Sequence, residues 1–262
     1  MSVPDLHHLP QGSARAGEFT RIAQVTGGAT GIGAAISSTL AEAGFSVIVA
    51  EINLDAAHAH AASIEARNTR ACALRLDVAD ASAEIERTHG RCDVLVNNAG
   101  IAGVASFLDC PIDVWSHVLA TNVTGLMLCS QSAARRMKAH GWGLIMSIAS
   151  ISGVRSSTGR TAYGTSKAAL IGLTRQMAVE LAEAGITANC VAPGPIDTPL
   201  TRDHHSPETR EGYYLTVPMR RYGQPSDIAQ TVEFLCSYHA GYISGHMVSV
   251  DGGFLAAGIL DI

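Results

Sequence analysis

The chain has 262 residues, 47% of them apolar and only 16% charged, with a net charge of −5 at neutral pH. This balance excludes disordered and coiled-coil classes, and the lack of any Lys/Arg run argues against a nucleic-acid or membrane partner. Six cysteines without any CxxC spacing point to reduced thiols in a cytoplasmic protein and to no metal centre.

Residues 1–18 are polar, with Gly and Pro and no apolar stretch, so they form an expected mobile arm rather than a signal peptide, ahead of one domain over 19–262. A short apolar strand over 21–25 runs into T-G-G-A-T-G-I-G (26–33), and an Ala-rich helix over 34–43 closes at Gly44. Strand, glycine turn and helix make a dinucleotide cradle. Glycines let the backbone approach a pyrophosphate, and a helix N-terminus offers free N–H groups. Here the pattern is T-G-x-x-x-G-x-G, with Gly27, Gly31 and Gly33, and with Thr30 and Ile32 between them.

The second strand, 45–50, ends at Glu51, eighteen residues beyond Gly33, where a Rossmann unit places its ribose-binding acid. Helix 54–66, strand 71–76 ending at Asp77-Val78, a short helix 81–89 and strand 93–97 follow. The last runs into N-N-A-G, which includes Asn98, Ala99 and Gly100. Such alternation predicts an α/β fold, a doubly wound, mainly parallel Rossmann-type sheet with helices on both faces.

A long helix over 113–138 precedes strand 144–149 and the stretch S-I-A-S-I-S-G. The helix over 161–183 opens with T-A-Y-G-T-S-K, and residues four apart share a helix face, so Tyr163 and Lys167 can meet one small molecule. An adjacent ammonium stabilises a phenolate, which would prepare the tyrosine for proton transfer to or from an alcohol oxygen. Strand 186–192 ends in P-G-P-I-D-T (193–198). The polar, aromatic stretch 199–217, a helix opened by Pro225, strand 246–250 and the apolar tail 254–262 complete the chain.

T-G-G-A-T-G-I-G, N-N-A-G, Y-G-T-S-K and P-G-P-I-D-T occur in the order seen in short-chain dehydrogenases/reductases, and from about residue 19 onward the chain resembles that family. The resemblance implies a nicotinamide cofactor and hydride exchange with a secondary alcohol or its ketone. It assigns the catalytic serine to Ser150, thirteen residues before Tyr163, over the rivals Ser147 and Ser152. Asn122, in L-A-T-N-V-T-G, becomes the fourth catalytic member and anchors a proton-relaying water. Lys167 lowers the tyrosine pKa and holds the nicotinamide ribose. Cofactor contacts extend to Ile52, Asp77, Val78, Pro193, Gly194, Ile196 and Thr198, the last toward the nicotinamide carboxamide, and 199–217 corresponds to the family's mobile substrate lid.

NAD is expected over NADP, because Glu51 would repel a 2′-phosphate and Gly28, Ala29, Thr30, Ile52 and Asn53 supply no cation. The polar lid suits a polyol, a sugar or a similar hydroxylated substrate. Arg155, Arg160 and Arg202 are available to an anionic one, with surface solvation the alternative for each. A 3-oxoacyl-[acyl-carrier-protein] reductase is the second enzymatic reading, and an NAD(P)-sensing regulator without turnover the third. Helices 113–138 and 161–183 carry Ala, Met and Leu on more than one face, and the family pairs them with their copies, so a homotetramer is expected.

Overall fold

Seven strands form one all-parallel sheet: Ile22–Thr26 (β1), Ser46–Glu51 (β2), Arg70–Arg75 (β3), Val94–Asn97 (β4), Gly143–Ile148 (β5), Ile186–Pro193 (β6) and Met247–Val250 (β7). The structure is a computed structural model that describes residues 21–80, 90–258 and 260. The expected arm (1–18), the helical piece 81–89 and the tail residues 259, 261 and 262 lie outside the described residues.

Eight α-helices among the described residues surround the sheet: Gly31–Glu42 (α1), Leu54–Glu65 (α2), Ile112–Leu119 (α3), Leu126–Lys138 (α4), Thr161–Glu180 (α5), Pro199–His204 (α6), Pro207–Thr216 (α7) and Pro225–Leu235 (α8). β4 and β5 are buried along their whole length. They are apolar runs rather than alternations, as a sheet covered on both faces requires. On one face Ile36 and Leu40 of α1, Ile64 of α2 and Ile228 and Val232 of α8 close over β1 and β2. On the other, Leu126 and Met137 of α4 and Leu170 and Met177 of α5 close over Leu95 and Ile145. Each such side chain contributes about 1.5–3 kcal/mol by leaving water.

The strand order is β3-β2-β1-β4-β5-β6-β7. The chain winds outward from β1 to β3, then returns to the other side of β1 as β4. That reversal opens a crevice at the carboxyl ends of β1 and β4, where doubly wound sheets bind ligands.

Three elements differ from expectation. The helix predicted over 113–138 is two helices joined by a π-helical turn, Ala120–Gly125. Gly125 lies so close to the next layer that a Cβ there would stand 2.1 Å from the Val78 carbonyl oxygen. The helix predicted over 161–183 stops at Glu180, and a 3₁₀ turn over Ala182–Ala184 leads to Gly185 at φ 72°. The stretch 199–217 is two short helices, α6 and α7, each with Pro in its first turn and a hydroxyl cap from Thr198 or Ser206.

Candidate active site

The cofactor side is tied together at the ends of β1 and β4. The Thr26 hydroxyl accepts from the backbone N–H groups of Asn98 and Ala99, at 3.1 Å each, and donates to the Val96 carbonyl. The Asn98 amide nitrogen donates to the carbonyls of Thr26 and Gly27 at 3.1 and 2.9 Å. Asn98, expected to touch the cofactor, thus spends its side-chain donor on the glycine turn, because that turn's carbonyls need partners away from water.

Gly27 and Gly31 adopt φ of 60° and 52°. A Cβ on Gly33 would stand 2.0 Å from the Gly27 carbonyl oxygen, so only glycine lets the turn close on α1. Thr30 precedes α1 with extended backbone and makes no side-chain cap. The first N–H groups of α1 therefore receive no side-chain acceptor from Thr30. Ile32 packs at the core edge.

Around this turn stand the other expected contacts. Glu51 ends β2, half-buried, its Oε1 accepting from the Ile52 N–H at 3.0 Å, while the Ile52 side chain is exposed. Asp77 Oδ1 accepts from the Ala79 N–H at 2.9 Å, and Val78 is buried under Gly125. Pro193 ends β6, and the Gly194 N–H donates to the Val250 carbonyl at 2.9 Å. The Ile196 side chain belongs to the hydrophobic core, which leaves its backbone for a ligand. Thr198 faces the glycine turn, its methyl 3.6 Å from the Gly31 Cβ position, while its hydroxyl caps α6 by accepting from the Thr201 N–H at 3.2 Å. A turn that a Cβ would fill, an uncapped helix N-terminus and a carboxylate at the end of β2 together fit a dinucleotide.

The reaction side gathers on α5 and the loop after β5. Ser150 opens the 3₁₀ turn Ile151–Gly153, its Oγ accepting from the Ser152 N–H at 3.1 Å, and lines the same cavity as Tyr163. Ser147 is buried in β5 and its hydroxyl has no hydrogen-bond partner. Lys167 is 3% exposed. Its Nζ donates to the Ile148 carbonyl at 2.8 Å and lies 5.6 Å from the Tyr163 ring centroid.

Burial lowers the Lys167 pKa to about 8. Burial raises the Tyr163 pKa, and the groups that work against it are the Ser150 hydrogen bond and the Arg160 charge. The Lys167 ammonium is turned to a carbonyl and is itself penalised by burial.

Asn122 is fully buried within the π turn. Its Oδ1 accepts from the Ile101 N–H at 2.9 Å, and its Nδ2 donates to the Ile101 carbonyl at 2.9 Å and to Ser166 Oγ at 3.0 Å. Gly100 fits between it and the lysine, with Asn122 Oδ1 3.2 Å and Lys167 Nζ 3.5 Å from its Cβ position. π turns recur at functional sites because they turn a helix-interior side chain into a cavity.

A small cavity of about 80 Å³ lies over Ser150 and Tyr163. Its outer wall includes Arg160, Thr201, His205 and Tyr213. His205 Nε2 is 3.5 Å from Arg160 Nη2, and its Nδ1 is 2.9 Å from the Tyr222 hydroxyl. A guanidinium can only donate, so Nε2 accepts and the proton sits on Nδ1. Burial and the charges of Arg160, Arg210 and His204 hold the His205 pKa below its usual value. Sequence reasoning placed His205 and Tyr213 only within the expected lid 199–217, and Thr26 only within the glycine motif, without singling any of them out. Only Thr26 left a local signal, a hydroxyl at the end of β1 just before the glycines.

Fold and crevice define a Rossmann-type dinucleotide-binding oxidoreductase. A family profile described as Enoyl-(Acyl carrier protein) reductase matches residues 27–255, and the chain belongs to the short-chain dehydrogenase/reductase family. It is 37% identical over 240 residues to the 3-oxoacyl-[acyl-carrier-protein] reductase FabG of Aquifex aeolicus (strain VF5), which covers 89% of this chain and 96% of that protein. A Beutenbergia cavernae protein described as an NAD(P)-dependent gluconate 5-dehydrogenase, solved with NADP at low occupancy, superposes with a TM-score of 0.87. It is 34% identical and covers 90% of this chain and 97% of its own. A 7α-hydroxysteroid dehydrogenase complexed with NADH and 7-oxo glycochenodeoxycholic acid gives 0.85 at 37% identity, covering 89% of this chain and 93% of its own.

Proposed function

We propose that the protein interconverts a compact secondary alcohol and its ketone, with NAD preferred over NADP. The observation that carries this reading is that Ser150 and Tyr163 line one cavity, with Lys167 one helical turn behind the tyrosine. The glycine turn and Glu51 would hold the dinucleotide, which when bound would supply the hydride acceptor or donor. In the reductive direction the Tyr163 phenol, kept protonated by burial, would give its proton to the carbonyl oxygen as the carbon takes up hydride, and an alcohol results; oxidation would run the same step backward from the phenolate. Ser150 Oγ hydrogen-bonds the same oxygen and sets its orientation. Lys167 holds the ribose and keeps positive charge behind the phenol. Asn122 anchors a water on its remaining oxygen capacity, so that protons pass along Lys167 to solvent.

The NAD preference rests on the half-buried Glu51 carboxylate, fixed at the end of β2 by its bond from the Ile52 N–H. It suits a free 2′-hydroxyl and repels a 2′-phosphate by about 1–4 kcal/mol at 4 Å, depending on the local dielectric.

A second reading, reduction of 3-oxoacyl thioesters on an acyl carrier protein, is favoured by the FabG relative and its near-complete coverage. We further propose a cytoplasmic homotetramer. The small-residue face of α5 at Ala168, Ala169 and Gly172, and the exposed Phe107, Leu108 and Ile112, are the surfaces that copies would cover. A monomer by light scattering at micromolar concentration would exclude that assembly.

The deciding experiment is kcat/KM with NAD and with NADP on a panel of secondary alcohols and acyl thioesters, repeated with Tyr163→Phe. A loss of about 10²–10⁴-fold at unchanged dinucleotide affinity is expected. Near wild-type turnover in the variant, with chemistry rate-limiting, would overturn the role of Tyr163. Equal use of the two cofactors would overturn that of Glu51.

A further inference from the structure

Of the three arginines that the sequence offers to an anionic substrate, two are engaged elsewhere. Arg202 makes a two-pronged pair with Asp197 at 2.9 and 3.2 Å, and the Arg155 guanidinium lies 5.2 Å over the Phe254 ring. Arg160 stands apart. It is half-buried, lines the cavity above Ser150, and places its Cζ 5.6 Å from the Tyr163 ring centroid.

The guanidinium carries five N–H donors. Among the described residues its hydrogen bond is the 3.5 Å contact to neutral His205, and no acid pairs with it. The described residues lining the cavity include no Asp or Glu. A cation taken partly out of water and given one weak acceptor is poorly compensated, and an anionic guest would supply what is missing.

The backbone that carries this side chain is held. It bridges Ala105, the Ala105 N–H donates to the Gly159 carbonyl at 3.1 Å, and the Arg160 carbonyl accepts from the Gly164 N–H at 2.6 Å. A guanidinium fork beside the reacting tyrosine suits a planar carboxylate, whose two oxygens it can meet with two parallel N–H bonds.

We infer that Arg160 determines specificity by binding a carboxylate of the substrate, which is a small hydroxy acid or the matching oxo acid. This rests on the oxidoreductase reading above. It separates that reading from the acyl-thioester one, since a thioester presents no carboxylate at this position. The carboxylate itself is unchanged in the reaction. It anchors the molecule while the neighbouring carbinol loses its hydride and proton.

The test compares 3-hydroxybutyrate with 2-butanol, using either dinucleotide, in the wild type, Arg160→Gln and Arg160→Lys. The acid is expected to have the higher kcat/KM by about 10-fold or more. Arg160→Gln should lower the acid-to-alcohol ratio of kcat/KM about 10- to 100-fold, chiefly through KM for the acid, while any change that reaches Tyr163 is shared by both substrates. Arg160→Lys should recover part of the loss. No acid preference in the wild type, or an equal fall on both alcohols, would overturn the inference, the latter because Arg160 would then act through Tyr163. If no alcohol is turned over with either cofactor, the alcohol-oxidising reading falls. Butyrate binding to the NADH-saturated protein by calorimetry then decides: binding lost in Arg160→Gln supports the site, and absent or unaltered binding overturns it.

Discussion

The two walls of the cleft are built by different means. The dinucleotide wall is backbone, with the glycine turn at positive φ and buried strands tied by Thr26 and Asn98. The substrate wall is side chains. Neither α6 nor α7 contributes a buried residue. They are held by Asp197, which pairs with Arg202 and Arg210, and by the rings of His205, Tyr213 and Tyr222 at 5.4–6.0 Å. Solvent screens the ion pairs, because Arg202 is exposed and Asp197 only partly covered. A wall with little buried apolar area opens locally at low cost, whereas a wall inside the core opens only with the whole fold. The cofactor site is therefore preformed, and the substrate site takes its final shape around its guest.

The contrast is broken most directly at Gly33. Alanine there would drive a Cβ to 2.0 Å from the Gly27 carbonyl oxygen and 2.5 Å from the Asn98 amide nitrogen. Neither neighbour can retreat without releasing the tie to β1, so NADH affinity should fall by about 100-fold or more. A fluorescence titration that gives affinity within a few-fold of wild type would show that the dinucleotide wall yields as easily as the other.

Next in size is Thr26→Val. The change keeps the shape but leaves the Asn98 and Ala99 N–H groups without the acceptor they share. Each unsatisfied buried donor costs about 1–3 kcal/mol, so a global loss of about 2–4 kcal/mol is expected in urea unfolding, with Thr26→Ser close to wild type. A loss below about 1 kcal/mol would mean that Thr26 does not fasten β1 to β4.

What was legible follows the same division. The glycine turn, the acid ending β2, and the spacing of Ser150, Tyr163 and Lys167 are local patterns, and each residue lies where its spacing placed it. Asn122 was found by motif, but the π turn that buries it depends on Gly125 meeting Val78, across a distance that periodicity does not report. For Asn98 and Ile196 a related limit applies: the motif did not say that the Asn98 amide ties the glycine turn or that the Ile196 side chain packs in the core. A motif says that a segment lies at the cofactor, not which way each side chain turns. The caps of α6 and α7 were present in the sequence as T-P and S-P, yet polar composition concealed two helices. Arg160 and His205 meet across 45 residues, and no local signal joins them.

Lys167 sits on the seam between the walls and carries a pH prediction. Its pKa is about 8 in the folded protein against 10.5 ordinarily, and burial is the cause. Between these values the unfolded chain holds a proton that the folded chain has released, so this lysine's contribution to stability rises with pH. Below about pH 8 the burial penalty is constant. The stability difference between wild type and Lys167→Met should therefore move in favour of wild type by up to about 3 kcal/mol from pH 8 to 10.5. A difference that stays flat across the window would mean that the ammonium is better solvated than its burial implies.

The smallest effect belongs to the substrate wall. Ser206 caps α7, its Oγ accepting from the Thr209 N–H at 3.3 Å, with Pro207 opening the helix. Removing such a cap costs about 1 kcal/mol. In a core helix that loss would appear in global stability. In α7, which buries no residue, it should appear locally. Ser206→Ala is expected to speed amide exchange about five-fold along α7, since about 1 kcal/mol corresponds to that ratio, while the urea midpoint and the exchange of β1 and β4 stay unchanged. KM for the substrate should rise with kcat little altered, because the wall is less often in place when the substrate arrives. Coincident loosening of α7 and β4 would show that the two walls open as one unit, and the contrast drawn between them would not hold.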